Sequence, residues 1–396
     1  MATPADTSIP AAPDSTRKRK AWLLALLLLL ILAGAATWAW YSLVGRWHES
    51  TDDAYVNGNV VEITPLVTGT VTSIGADDGD LVHAGQVLLQ FDPADSEVAL
   101  QAAEAKLARS VRQVRGLYSN VDALKAQLQT RQAELQKAQQ NYNRRKVLAD
   151  SGAIALEEIS HARDDLTVAQ AAVNSARQQL NTSTALVDDT VVSSHPDVMA
   201  AAADLRQAYL DHARTTLVAP VTGYVAKRTV QLGQRLQPGT ATMAVIPLDE
   251  VWIDANFKET QLRDMRIGQP VQITADLYGS EVTYSGTVDS LGAGTGSAFA
   301  LLPAQNATGN WIKIVQRVPV RIHLSPEQLK DHPLRIGLST VAEVDLHDQS
   351  GPALAQQPPQ QASYTTQVYD RQLVEADDLI ARLIHANSAN GKTAQR

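Results

Sequence analysis

Val67-Thr68-Gly69-Thr70-Val71 returns at a constant offset of 154 residues as Val221-Thr222-Gly223-Tyr224-Val225. Holding that offset places Gly79 on Gly233, Val82 on Leu236, Gly85 on Gly239 and Pro93 on Pro247 without a gap. Glycines at fixed spacing mark turns that need positive φ or a tight backbone approach. Between them Val87, Leu89 and Phe91 alternate with Gln86, Leu88 and Gln90, and Ala241, Met243 and Val245 keep the same beat. That is strand periodicity with one buried face. Either segment alone would leave the face in water. Pressed together the two bury it, so they read as one split domain rather than two independent hairpins.

A split domain constrains what lies inside it. Leu100, Leu107, Val114, Val121, Leu128, Leu135 and Tyr142 recur every seven residues, and so do Ile159, Leu166, Val173, Leu180 and Val187. Ala162, Ala169, Ala176 and Ser183 follow three residues after the first four of the second set. These are coiled-coil seams, and the small residues on the second let two helices approach closely. The stretch from Ala94 to Ala149 holds no proline, and as helix it would be ~84 Å long. Asp150-Ser151-Gly152 supplies a turn, and the second leg starts near Leu156, breaks around Asp188–Pro196 and resumes to Arg214. Both ends of the insertion must lie side by side, which an antiparallel hairpin satisfies.

Outward to the N-terminus, residues 1–16 are Ala/Pro/Ser/Thr-rich and are followed by Arg17, Lys18, Arg19 and Lys20. Ala21 to Val44 then carries no charge. As a helix it is roughly 36 Å long, enough to cross a ~30 Å hydrocarbon layer with some tilt. Trp22 stands at one end and Trp38, Trp40 and Tyr41 at the other, as an interfacial aromatic belt would. The basic cluster puts residues 1–20 in the cytoplasm by the positive-inside rule and the rest outside. A cleaved signal peptide is the competing reading, with Ala21–Leu32 of h-region length and Ala33-Gly34-Ala35 of A-x-A form. The sequence has no second apolar run of spanning length, so this chain alone is not a channel or transporter.

Composition narrows the rest. At 396 residues the chain has room for two to four domains. A net charge of −8 without a basic stripe argues against nucleic-acid binding. The absence of cysteine excludes disulfide frameworks, thiolate metal sites and thiol catalysis. The histidines show no H-x-H or H-E-x-x-H spacing, and there is no G-x-S-x-G. Asp77-Asp78-Gly79-Asp80 lacks the alternation and distal Glu of a calcium loop, and the repeat makes it a β-turn. No cofactor, metal or catalytic residue is expected.

Residues 251–346 read as a small β-barrel, with strands at Val251–Asn256, Val271–Leu277, Val282–Ser290, Trp311–Leu324 and Leu334–Leu346 and a short helix at Glu259–Met265. Asp52–Ile63 is expected to supply a further strand. Residues 292–310 form an uncharged Gly/Ala-rich loop. Its Gly294, Phe299, Leu301, Leu302 and Asn306 are candidates to meet a membrane or a partner, a self-packed barrel plug being the alternative. After a Gln/Pro/Ala-rich linker at 349–362, Tyr369, Leu373, Ala376, Ile380 and Leu383 share one helical face, either a docking helix or a loosely attached solvated one.

Several strings carry a family resemblance. Thr51-Asp52-Asp53-Ala54-Tyr55-Val56, with Gly58-Asn59, is similar to the start of EmrA-type membrane fusion proteins, periplasmic adaptors of multidrug efflux in the HlyD-like family. So are Asp254-Ala255-Asn256-Phe257-Lys258-Glu259-Thr260-Gln261, Met265-Arg266-Ile267-Gly268-Gln269-Pro270-Val271, and the run from Gly294 through Asn306 to Lys313. The split domain likewise resembles paired biotinyl/lipoyl half-motifs, but over a hundred residues stand where a carrier lysine would sit, so acyl carriage is not expected. The resemblance implies a multidomain α+β chain: an N-terminal transmembrane helix, a β-barrel, a split lipoyl-like β domain and a long antiparallel α-helical coiled-coil hairpin. The expected segments are 1–20 cytoplasmic tail, 21–44 transmembrane helix, 45–60 linker and first barrel strand, and 61–93 first half-motif. Then follow 94–215 hairpin, 216–249 second half-motif, 250–347 barrel and 348–396 C-terminal linker and tail.

The resemblance also implies two partners in a Gram-negative envelope, an EmrB-like proton-driven major facilitator transporter in the inner membrane and a TolC-like outer-membrane channel at the hairpin tip. A homo-oligomer is expected, since a lone hairpin encloses no conduit. Adaptors that dock such a channel often carry Arg-x3-Leu-x6-Ser at the tip. Arg144 and Leu148 match, and Ala155 stands at the Ser position. A solvated charge and a packing residue are the alternative for that pair. An adaptor for peptide or siderophore secretion, or a membrane-anchored coiled-coil sensor, are the other functions left open.

Overall fold

The computed structural model describes residues 15–43, 45–188, 190–299, 315–360 and 362–388. The chain forms two units. One takes in the chain up to Val60 with Ile246–Ser363, the other Val61–Val245 and the chain from Tyr364. In chain order the first elements are helix α1 (Ser15–Leu43) and strands β1 (His48–Asn57), β2 (Val61–Ile63), β3 (Gly69–Ile74), β4 (Leu81–Val82) and β5 (Val87–Phe91). Helices α2 (Ala94–Asp150), α3 (Leu156–Thr184) and α4 (Pro196–Ala213) follow. Next come β6 (Thr216–Val218), β7 (Gly223–Ala226), β8 (Arg235–Leu236) and β9 (Met243–Ile246). The chain continues through β10 (Trp252–Lys258), β11 (Pro270–Ala275), β12 (Thr283–Leu291) and β13 (Arg317–Leu324). It finishes with α5 (Pro326–Asp331), β14 (Ser339–Asp345) and α6 (Asp370–Ser388).

The repeat builds two four-stranded sheets, ordered β2-β9-β7-β4 and β6-β5-β3-β8. Each sheet takes two strands from each half, and the repeat exchanges one sheet for the other strand by strand. The pairing is reciprocal: Leu81 opposes Tyr224 as Arg235 opposes Thr70. Gly79 N–H donates to Val225 O as Gly233 N–H donates to Val71 O, both at 2.9 Å. Gly79 and Gly233 both sit at positive φ, 92° and 76°, where a side chain is strained. At Gly69 a Cβ would lie 2.6 Å from the Phe91 ring, so glycine there lets the sheet close on a fully buried aromatic. Leu88, Leu89, Phe91, Val225 and Val245 lead the core between the sheets, and the expected alternation along β5 breaks at a register shift between Val87 and Leu89 that turns Val87 out and Leu88 in.

The two halves are also tied at their turns. Arg228 Nε donates to Asp77 Oδ1 at 2.6 Å, and Arg228 N–H to Asp78 Oδ1 at 2.8 Å. The Asp77–Asp80 stretch is a β-turn, Asp80 N–H donating to Asp77 O at 3.0 Å, as the repeat requires.

Between β5 and β6 the chain leaves and returns as helices. Asn120 meets Ser183 at 3.2 Å, and 25 residues on, Arg145 meets the Glu158 carbonyl, 25 residues back. That is an antiparallel hairpin. Its seam is the heptad set: Leu107, Val114 and Val121 of α2 and Ala162, Val173 and Ala176 of α3 are buried. The break between α3 and α4 is pinned by Tyr118, whose hydroxyl donates to Thr190 O at 2.6 Å. His195 then caps α4. Its Nδ1 accepts from Asp197 N–H at 3.2 Å, so Nε2 carries the proton and donates to Leu186 O at 3.0 Å.

The other unit is a closed six-stranded antiparallel barrel ordered β1-β10-β13-β12-β11-β14. Ile253, Ala255 and Phe257 alternate inward along β10 with Trp252, Asp254 and Asn256 outward, the period-two pattern of a half-buried strand. Four barrel expectations need correction. Glu259–Met265 is not helical. Gln261 Oε1 accepts locally from Lys258 N–H at 2.9 Å, and its Nε2 donates to Glu49 Oε2 of β1 at 2.7 Å, so a local turn bond and a tertiary bond hold this stretch in turns. The short helix is α5, beginning at Pro326, whose missing N–H suits a first turn. Asp52–Ile63 does not form one strand: β1 closes the barrel, while β2 pairs with β9 in the split domain. The strand expected at Trp311–Leu324 is seen as Arg317–Leu324, residues 311–314 lying outside those described.

Two measurements check these contacts. His195→Ala removes a helix cap and strips the Leu186 carbonyl of its donor, and urea unfolding of the purified chain should show a loss of about 2 kcal/mol. The Arg228 side chain and the Asp78 N–H hold the Asp77 carboxyl below its ordinary value of 3.8. A depressed carboxylate stabilises fully above its ordinary pKa, and that contribution is lost as pH falls through the lower folded value. Asp77→Asn should therefore lower the urea midpoint near neutral pH, and the difference from the parent chain should shrink as the pH is taken progressively below 3.8.

Candidate functional site

The hairpin tip follows from how α2 ends. Gly152 takes φ of 74°, Gly152 N–H donates to Ala149 O at 2.9 Å and Ala153 N–H to Leu148 O at 3.0 Å. Arg144 and Leu148 lie one turn apart on one face of α2, and both are exposed. Among the described residues the Arg144 guanidinium has one polar contact, with Asn141 Oδ1 at 3.5 Å. Its neighbour Arg145 instead bonds across to α3. Val147 and Leu156 are exposed beside them, at 68% and 81%. The tip thus offers cations ringed by apolar side chains that no part of the described chain covers. Ala155, at the Ser position of the docking pattern, is the N-cap residue of α3 and makes no side-chain cap. A serine there would also cap the helix.

The Gly/Ala-rich loop leaves the barrel after β12. Gly292 N–H donates to Pro319 O at 2.8 Å, and Ser297 Oγ to Gln316 Oε1 at 2.6 Å. Phe299 is 74% exposed, its ring lying where a Cβ on Gly294 would fall, 2.7 Å away. Leu301, Leu302 and Asn306 lie outside the described residues. Along α1 every described apolar side chain of Trp22–Leu32 is exposed, with Trp38, Trp40 and Tyr41 at 73%, 65% and 61%. Trp22–Trp47 is long and apolar enough to cross a membrane.

One feature was not read from the sequence, and one was left open by it. The strings quoted from β1 and β10 are neighbours whose outward side chains form a polar lattice. Asn57 Nδ2 donates to Asp254 Oδ2 at 2.7 Å, and Asn256 Nδ2 to Asp53 Oδ1 at 3.3 Å. Asp53 also pairs with Arg317. Arg321 lies over the Trp252 ring, 3.6 Å from its centroid. Polar side chains of complementary character at neighbouring cross-strand positions, diagonal in the case of Asn57 and Asp254, were the available signal. The second is α6, which is not loose but docked on the hairpin base, with Ile380 buried among Leu107, Val111, Val114 and Leu205. Its signal was Val111, an apolar residue off the heptad that widens the stripe beyond a two-helix seam. Glu375 accepts from Tyr209, and the phenol's pKa is raised, first by burial and then by that bond. Among the described residues no group of three or more His, Cys, Asp or Glu is placed to hold a metal.

Comparison with known proteins agrees with this architecture. The EMRA α-helical hairpin domain matches residues 94–215, and the AAEA-like β-barrel domain matches residues 250–345. The multidrug export protein EmrA of Escherichia coli (strain K12) is 45% identical over 98% of this chain and 100% of its own. EmrA of Haemophilus influenzae is 41% identical over 96% and 97%. The fatty acid resistance protein FarA of Neisseria gonorrhoeae is 47% identical over 83% and 84%. The solved structure of the periplasmic adaptor protein EmrA superposes with a TM-score of 0.38 at 18% identity, over 76% of this chain and 99% of its own, too loose a fit to bear on function. Identity of this level along nearly the whole length of both chains is that of a single family, and the chain belongs to the EmrA-type periplasmic adaptors, membrane fusion proteins of the HlyD family.

Proposed function

We propose that this chain links an inner-membrane transporter to an outer-membrane channel in a tripartite efflux pump, without moving substrate itself. The observation that carries the reading is the rod. A continuous helix of 57 residues, about 85 Å long, runs out from the split domain and is paired along its seam by a returning leg. A built length is what it has to offer. In this reading α1 anchors the chain, with Trp22, Trp38, Trp40 and Tyr41 at the two interfaces and the basic residues 17–20 on the cytoplasmic side. The tip, through Arg144 and Leu148, meets a TolC-like channel. The loop with Gly294 and Phe299, continuing to Leu301, Leu302 and Asn306, meets an EmrB-like major facilitator transporter that supplies the energy. Several protomers form a ring, since one hairpin cannot wall a conduit. The names of the relatives, multidrug export and fatty acid resistance, point to apolar and amphipathic compounds as the exported class.

Length can be tested without disturbing the seam. Removing residues 124–137 and 166–179 takes two heptads from each leg, keeps the register and shortens the rod by about 21 Å. Tolerance of the exported compounds should fall to that of cells lacking the protein, while the helical circular dichroism and melting of the purified chain stay cooperative. Undiminished tolerance with the short rod would remove the bridging role. Photocrosslinkers at positions 145–155 should capture an outer-membrane channel. Capture of cytoplasmic-membrane proteins alone would place the tip elsewhere.

A further inference from the structure

The rod meets the paired sheets through two short links. Phe91 ends β5 and Ala94 opens α2; Ala213 ends α4 and Thr216 opens β6. Two neighbouring links resist twisting better than swinging about the line that joins them, a motion opposed at the links themselves by Asp92 N–H on Thr70 O and Phe91 N–H on Thr215 O, both at 2.9 Å. The rod magnifies any swing: a tilt of 10° at the joint carries the far end of the 57-residue helix about 15 Å. A part that must find a distant partner needs that joint held.

The C-terminal segment touches both sides of it. On the sheet side, Thr366 Oγ1 donates to Pro220 O at 2.8 Å. Tyr369 and Gln372 line, with Thr216 and Leu217, a cavity of about 220 Å³. On the rod side, Arg206 donates from Nε and Nη2 to Asp377 Oδ1, at 2.9 and 2.5 Å. Tyr209 donates to Glu375 Oε2 at 2.8 Å, and Arg112 Nη1 to Asn387 Oδ1 at 2.7 Å. Ala376 is fully buried, and Ile380 fills the groove between α2 and α4. The helix therefore grips both legs of the rod, while the residues leading into it grip the sheets.

We propose that residues 364–388 are a brace across this joint and set the direction in which the rod leaves the split domain. Arg206 and Tyr209 are positioning residues in this scheme. The importance of the brace for export rests on the bridging role proposed above; its mechanical effect does not.

The chain has no cysteine, so two introduced thiols are labelled uniquely. Gln127→Cys on α2 and Arg235→Cys on β8 carry spin labels in the purified full-length protein. The distance distribution is compared between the intact chain, a chain ending at residue 363, Asp377→Arg, and Asp377→Arg combined with Arg206→Glu. The intact chain should give one narrow distribution. Truncation should broaden it by up to about 2 Å for each 10° of swing released, because the distance changes with the shorter lever, from the joint across two strand spacings to β8, about 10 Å. Asp377→Arg should broaden it less, and the charge exchange should narrow it again. Should the truncated chain fail to fold, Asp377→Arg, its charge exchange and Thr366→Ala carry the test. Unchanged widths in the variants that fold overturn the brace. Broadened widths with undiminished export uphold the brace and count against the rod as a bridge; unchanged widths with lost export do the reverse.

Discussion

The reciprocal backbone bonding between the two half-motifs governs everything else in this chain. Neither half has a complete sheet: each lends two strands to each of two sheets, so no strand set is whole until residues 141 to 167 positions apart have met. Buried backbone groups need partners, and here those of one half are supplied largely by the other. The ends of the insertion are thereby held side by side. An insertion with such ends must return on itself, and heptad seams make it return as a rod.

Along the rod the means of cohesion change. Towards the tip, two helices meet on a narrow stripe where alanines permit close approach. At the base the stripe widens, and α6 covers it with a buried isoleucine and charge-assisted bonds. Cation–carboxylate pairs as exposed as Arg206–Asp377, at 39% and 56%, contribute little stability alone. Their value is geometric, because they fix rotation and register while the apolar contact supplies the energy.

Much of this was readable from residue order because the governing patterns are local and periodic. The repeat, the two heptad runs and the uncharged N-terminal stretch each announce themselves by spacing. Features that depend on a partner remote in sequence were not readable. Glu259–Met265 is rich in helix-forming residues, yet a glutamine bonded back to β1 holds it in turns, a tertiary override of propensity. A single strand over 52–63 fitted the alternation, and nothing local shows that the chain changes unit at Val60. The apolar face of α6 was visible, but the surface that covers it was not, since that surface exists only after α2 and α4 are side by side. At the tip, Arg144 and Leu148 were found by spacing alone; their exposure is what the structure adds.

The divided sheets also dictate an order of assembly. Of β2 to β5, β3 and β5 can pair with each other, but the remaining edges and the apolar face have no complement until the whole insertion has followed. Closing an unstructured loop of ~120 residues costs about 3 kcal/mol more than closing one of a few. Coiled helices, whose contacts are local, form faster than long-range strand pairs. A rod that zips from its turn carries β6 back to the side of β5 and replaces that long closure by a short one. The same hairpin that gives the mature protein its reach thus serves the newborn chain as a template, delivering the second half-motif to the first before its apolar face can find a neighbour.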